Sequence, residues 1–138
     1  MNAVPVITLD TNVLVSGLLN PFGPPGRMVD LVLSRQIRLA FDDRVLIEYQ
    51  EVLSRSRFGF PTTRIERVMA IFAFQERVTT TPWPHQPIPD QDDAIFLEVA
   101  SASSKVLVTG NLRHYPDNSI GDVRVLSPTD WLSEEFKK

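Results

Sequence analysis

Apolar positions along this chain follow two rhythms, one of strands and one of helices. Val4 to Leu9 is a short apolar run closed by Asp10, with Pro5 near its start, where a missing backbone donor is tolerated in a strand. Ile37, Leu39 and Phe41 alternate as a second strand, and Lys105 to Thr109 (Lys-Val-Leu-Val-Thr) reads as a buried one. Val78 to Thr80 is a short edge strand, and Val123 to Leu126 closes the set. Between them the period lengthens. Met28, Val29, Leu31, Val32 and Leu33 predict a helix. A second runs from a cap at Asp42 or Asp43 to about Arg55, with Val45, Leu46, Tyr49, Val52 and Leu53 on one side. A third opens with a capping box, Thr63-Arg64-Ile65-Glu66, and carries Ile65, Val68, Met69, Phe72 and Ala73 as its stripe. Asp90 to Ser103 is a fourth, with Ile95, Phe96, Val99 and Ala100 inward. Ser127-Pro128-Thr129-Asp130 starts the last with a cap, a proline in the first turn and an acid at the dipole. Asn20 to Gly26 is a turn-rich loop, Thr81 to Pro89 is a loop stiffened by four prolines, and Gly110 to Asn118 is a turn or short helical segment.

Strands that alternate with helices predict an α/β fold: a three-layer α/β/α sandwich whose mostly parallel sheet has about five strands, in one domain over residues 1–138. The chain is long enough to bury a core without covalent staples. It has no cysteine, so disulfides and thiolate metal sites are excluded and a reducing, cytoplasmic setting is expected. No signal-type apolar run follows Met1, and no segment approaches the roughly 20 apolar residues of a membrane span. The net charge of −3 argues against a broadly basic nucleic-acid surface, but weakly: with Asp10, Glu48, Asp92 and Asp93 set aside, the rest is close to neutral.

Those acids are where chemistry is expected, because sites in parallel sheets form beyond the carboxyl ends of the strands. Asp10 follows the first strand directly, although an Asp there also serves as a plain cap for the next turn or helix. Glu48 lies three residues after Val45 and four before Val52, so it points along an apolar stripe and needs a partner, an arginine or a cation. Glu51 reads as an ordinary solvated acid. Asp90 suits the N-cap, and that role partly covers Asp92. Asp93, three residues before Phe96, lies beside the core stripe and can reach a strand edge. Asn111 ends the Lys105–Thr109 strand and can offer a carbonyl oxygen or shape a turn. Carboxylates crowded at one edge raise one another's pKa values unless a cation neutralises them. Oxygen donors without Cys or His point to Mg2+ or Mn2+.

Four segments in order, Leu9-Asp10-Thr11-Asn12-Val13, Glu48-Tyr49-Gln50-Glu51-Val52-Leu53, Asp90-Gln91-Asp92-Asp93-Ala94-Ile95-Phe96-Leu97 and Val108-Thr109-Gly110-Asn111-Leu112-Arg113-His114-Tyr115, resemble the successive motifs of PIN domains along nearly the whole chain. The closest likeness is to the branch of toxin components of bacterial toxin–antitoxin pairs, akin to the VapC type. The resemblance implies a metal-dependent ribonuclease with Asp10, Glu48 and Asp93 at the metal and Asp92 adjacent. Asn111 stands where many PIN nucleases carry a further Asp, and Asp117 lies close enough in sequence to compensate. The resemblance also implies a cognate antitoxin and a homodimer. Arg113 and His114, then Arg55 and Arg57, are candidates to touch RNA, each also readable as a solvated charge. Thr11, Ser16 and Thr109 are candidates to orient the carboxylates, or else plain capping and turn residues. Trp83 suits a core anchor better than a base-stacking platform, and His85 has no assigned role. Two other readings stay open: a degenerate PIN domain that binds RNA or protein without cutting, and a phosphatase or receiver-like domain phosphorylated at Asp10.

Overall fold

The computed structural model describes residues 4–85 and 87–136. Strands β1 (Val6–Leu9), β2 (Arg38–Phe41), β3 (Glu76–Arg77), β4 (Val106–Val108) and β5 (Arg124–Leu126) form one sheet in the order β3-β2-β1-β4-β5. Every neighbouring pair is parallel. Among the described residues, helices α1 (Thr11–Leu19), α2 (Pro24–Leu33), α3 (Asp43–Leu53), α4 (Thr62–Ala70) and α5 (Ala94–Ser101) lie between strands, and α6 (Pro128–Phe136) follows the last one. Consecutive strand residues face opposite sides of a sheet. Ile7, Thr8 and Leu9 are all buried, as are Leu39, Ala40 and Phe41, so helices cover both faces and the architecture is the expected three-layer sandwich. No helix among the described residues is long and apolar enough to cross a membrane.

Two interactions position the carboxyl end of the sheet. The Tyr49 side chain of α3 is fully buried between the rings of Phe72 and Phe96, with centroids 5.6 and 6.4 Å away. Its hydroxyl donates to the Leu9 carbonyl at 2.5 Å and so ties α3 to the end of β1. Helix α5 lies against β1, β2 and β4 through Phe96, Leu97, Val99 and Ala100. Close packing of α1 on α2 depends on glycine: a Cβ on Gly17 of α1 would lie 2.6 Å from the Pro25 carbonyl oxygen and from Val29 Cγ2.

Several local expectations are corrected. Thr11–Leu19 forms a helix directly after Asp10 that the sequence pattern did not single out, because its apolar residues are too dense to show a stripe. Helix α2 starts at Pro24, inside the segment read as a loop, with proline accepted in its first turn. The capping box at Thr63 does not form: α4 starts at Thr62, and the Pro61 carbonyl accepts from Arg64 and Ile65. The edge strand is Glu76–Arg77 and not Val78–Thr80, since pairing with Ala40 and Phe41 ends where Val78 N–H reaches the Phe41 carbonyl. The segment from Asp90 begins as a 3-10 turn, Gln91–Asp93, before α5; Asp90 caps it by accepting from the Asp92 N–H at 3.0 Å. Ser127 does cap α6, accepting from Asp130 N–H at 3.1 Å.

Candidate acidic site at the strand switch point

Strand order turns back on itself between β1 and β4, and ligand sites in open α/β sheets lie outside the carboxyl ends at such a point. Asp10 and Thr109 are the residues that leave these two strands. Asp10 N–H continues the ladder to the Val108 carbonyl at 2.9 Å, which locks its position. Asp10 occupies the N-cap place of α1, yet its carboxylate makes no capping bond to the helix. Instead three side chains donate to its Oδ2: Thr109 Oγ1 and the Tyr115 hydroxyl at 2.9 Å each, and Asn12 Nδ2 at 3.4 Å. Asp10 is 4% exposed, and burial pushes its pKa up despite these donors.

Asp93 reaches the same edge from the start of α5. Its buried Oδ2 lies 2.9 Å from His114 Nδ1, an approach that falls short of hydrogen-bond alignment. Burial first, then the charges of Asp10 and Asp90, raise the Asp93 pKa to about 6. Glu48, half-buried on α3, is also raised, chiefly by burial; Thr11 Oγ1 donates to it at 3.2 Å and the Arg55 charge opposes the rise. The charge of Asp10 is felt at both Asp93 and Glu48, so the three acids belong to one electrostatic neighbourhood. Even so, among the described residues no three His, Cys, Asp or Glu side chains are gathered closely enough to enclose a metal ion.

The remaining candidates divide by position. Thr109 and Thr11 contact carboxylates directly, whereas Ser16 is exposed on α1 and no hydrogen bond joins it to one. Asp92 and Glu51 are exposed. Asn111 is half-buried, and its N–H donates to Thr109 Oγ1 at 3.0 Å. Arg113 and Arg55 are exposed near the acids in sequence; Arg57 lies over the Phe58 ring, 4.8 Å from its centroid; the His114 imidazole is engaged with Asp93. Asp117 is exposed in a 3-10 turn. Trp83 is a half-buried anchor: its indole donates to the Ser119 carbonyl at 2.9 Å, and the His85 ring meets it edge-on at 4.9 Å. A cleft of about 340 Å³ beside Trp83, His85 and Glu98 includes none of the acids at the switch point.

Sequence reasoning gave no role to Asn12 or Tyr115. Asn12 bridges the two strand ends, since its Oδ1 accepts from Gly110 N–H at 2.9 Å while its Nδ2 reaches Asp10. Both residues sit inside the segments that carried the family resemblance, and a polar side chain two residues after a strand-end Asp was the available signal.

In chemical type the donors suit a hard divalent cation, though they are not drawn together around a common point: they are oxygens, one is a buried carboxylate oxygen without an aligned hydrogen-bond donor, and the Asp10 charge raises the pKa values of Asp93 and Glu48. Comparison with known proteins agrees with the fold. An uncharacterized protein of Methanocaldococcus jannaschii, MJ1680, is 28% identical in an alignment covering 96% of this chain and 92% of that protein. No solved structure matches the chain. The PIN domain family matches residues 6–113, which spans β1 through the turn that carries His114's neighbour Arg113 and takes in all three acids of the switch point, and the chain belongs to that family.

Proposed function

We propose that this chain is a metal-dependent endoribonuclease and the toxin component of a bacterial toxin–antitoxin pair, with a cytoplasmic site of action. PIN domains are generally nucleases. The observation that supports the reading for this chain is the buried Asp10 carboxylate at the strand switch point, flanked by Asp93 and Glu48.

In this reading Asp10, Glu48 and Asp93 would hold Mg2+ or Mn2+, with Asn111 offering a neutral oxygen and Asp92 at the margin. A divalent ion so held supplies Lewis-acid chemistry at a phosphate and makes water a stronger acid. The protein's own groups do the rest. Thr109, Tyr115 and Asn12 fix the Asp10 carboxylate, and Thr11 steadies Glu48. Asp93 would part from His114 to act as a ligand, and the imidazole would then be free to meet RNA. Arg113 and Arg55, exposed near the acids in sequence, offer charge to flanking phosphates, and Arg57 lies further along the same segment.

Purified protein is expected to cleave a mixed-sequence single-stranded RNA with Mg2+ or Mn2+, to stop with EDTA, and to lose activity in Asp10→Asn. Cleavage that persists in EDTA would defeat the metal-dependent reading. Expression without an antitoxin is expected to arrest bacterial growth, and Asp10→Asn to relieve the arrest; equal growth with both forms counts against the toxin role.

A second reading has its own support. Asn111 is neutral where a fourth acid is common, and the acids are not gathered around a common point. A PIN domain that binds RNA or a protein without cutting would then bind metal weakly and leave RNA intact under every metal tested.

A further inference from the structure

Tyr115 is buried, 3% exposed, at the end of the 3-10 turn Leu112–His114, and its hydroxyl donates to Asp10 Oδ2 at 2.9 Å. Thr109 and Asn12 donate to that same oxygen, and the Thr11 backbone N–H also bonds to the carboxylate. We propose that Tyr115 is a positioning residue for Asp10: with Thr109 and Asn12 it gathers neutral side-chain donors on one carboxylate oxygen, which fixes the acid while leaving its charge for an outside ligand. The proposal rests on the metal-binding reading of the site.

The chemistry of the donors carries the argument. A buried carboxylate needs partners, and the usual one is a cation from Arg or Lys. Such a cation would neutralise Asp10 and compete with a metal. A hydroxyl and an amide satisfy the oxygen without cancelling its charge, so the site stays negative. A phenol is protonated at neutral pH and donates to the carboxylate as it stands. The adjacent residue, His114, meets Asp93. One short turn therefore addresses both carboxylates.

Tyr49 provides an internal control. It too is buried near the end of β1, but its hydroxyl meets the Leu9 carbonyl and no carboxylate. The test is calorimetric titration of the full-length, RNA-free protein with Mn2+, paired with thermal melting, for wild type, Tyr115→Phe, Tyr49→Phe, Thr109→Val and Thr109→Ser. Groups that orient a metal ligand are typically worth 10–100-fold in affinity. Tyr115→Phe is expected to weaken Mn2+ binding about tenfold. Thr109→Val is expected to do likewise, while Thr109→Ser, which keeps the hydroxyl, retains wild-type affinity. Tyr49→Phe, which removes a bond to a carbonyl and none to a carboxylate, is expected to melt earlier and to lose less Mn2+ affinity than Tyr115→Phe. If Tyr115→Phe fails to fold, the Thr109 pair decides the matter. Wild-type affinity in both Tyr115→Phe and Thr109→Val would overturn the proposal and leave the metal site standing. Absence of Mn2+ binding by wild type itself would overturn both.

Discussion

Asp93→Asn is expected to abolish RNA cleavage and, at the same time, to make the ion-free protein more stable above pH 6. The loss of activity should exceed about a hundredfold, because groups that merely orient a metal ligand already account for 10–100-fold. The gain in stability follows from burial. Asp93 in the folded protein keeps its proton up to about pH 6, whereas the ordinary value is 3.8. Between those values the folded state binds more protons than the unfolded chain, so stability falls as pH rises through the interval. Asn carries no charge and escapes that loss. With solvent screening at this half-buried group allowed for, the gain is about 1 kcal/mol, or roughly 3–5 °C in melting temperature at pH 7. The difference between the two proteins should shrink as pH drops from 6 towards 4. A melting temperature for Asp93→Asn at or below wild type at pH 7 would show that the carboxylate is not held under electrostatic load.

Phe96→Ala is expected to cost the most stability. Phe96 is 1% exposed, lies in ring contact with Tyr49, and belongs to the helix that rests on β1, β2 and β4. Removing a buried Phe costs about 3–5 kcal/mol, a large share of the 5–15 kcal/mol typical of a whole domain. Urea unfolding should show a lower midpoint with the same slope. Because Asp93 precedes Phe96 by one helical turn, the remaining folded protein should also bind Mn2+ more weakly. Ile95→Ala, at a half-buried neighbour, should cost markedly less. Equal losses at both positions would mean that α5 is seated differently.

The parallel sheet was legible from the sequence because β1, β2, β4 and β5 fall at short apolar or alternating runs between helical segments, whereas the polar edge strand Glu76–Arg77 carried no such run and was expected two residues later. Glu48 was legible for a different reason: its spacing from Val45 and Val52 placed a charge beside an apolar stripe, and the structure finds it half-buried near Asp10. What spacing could not show was the register across the sheet. Tyr115 and Asp10 are 105 residues apart, and only the β1–β4 pairing and the turn after β4 bring hydroxyl to carboxylate. The same holds for Asn12 and Gly110, 98 residues apart. Helix α1 escaped notice because Val13, Leu14, Val15 and Leu18 leave it apolar nearly all round. Pro61 displaced the capping box at Thr63 because its carbonyl takes the first helical bonds one residue earlier.

The acids at the switch point lie open to a direct observation. Crystals grown with Mn2+ and measured at a wavelength where manganese scatters anomalously should show an anomalous peak in contact with Asp10 and Asp93, with the His114 imidazole withdrawn from Asp93. A peak only at surface acids such as Glu51 or Asp43, with Asp93 still against His114, would contradict a metal-dependent nuclease site at this edge.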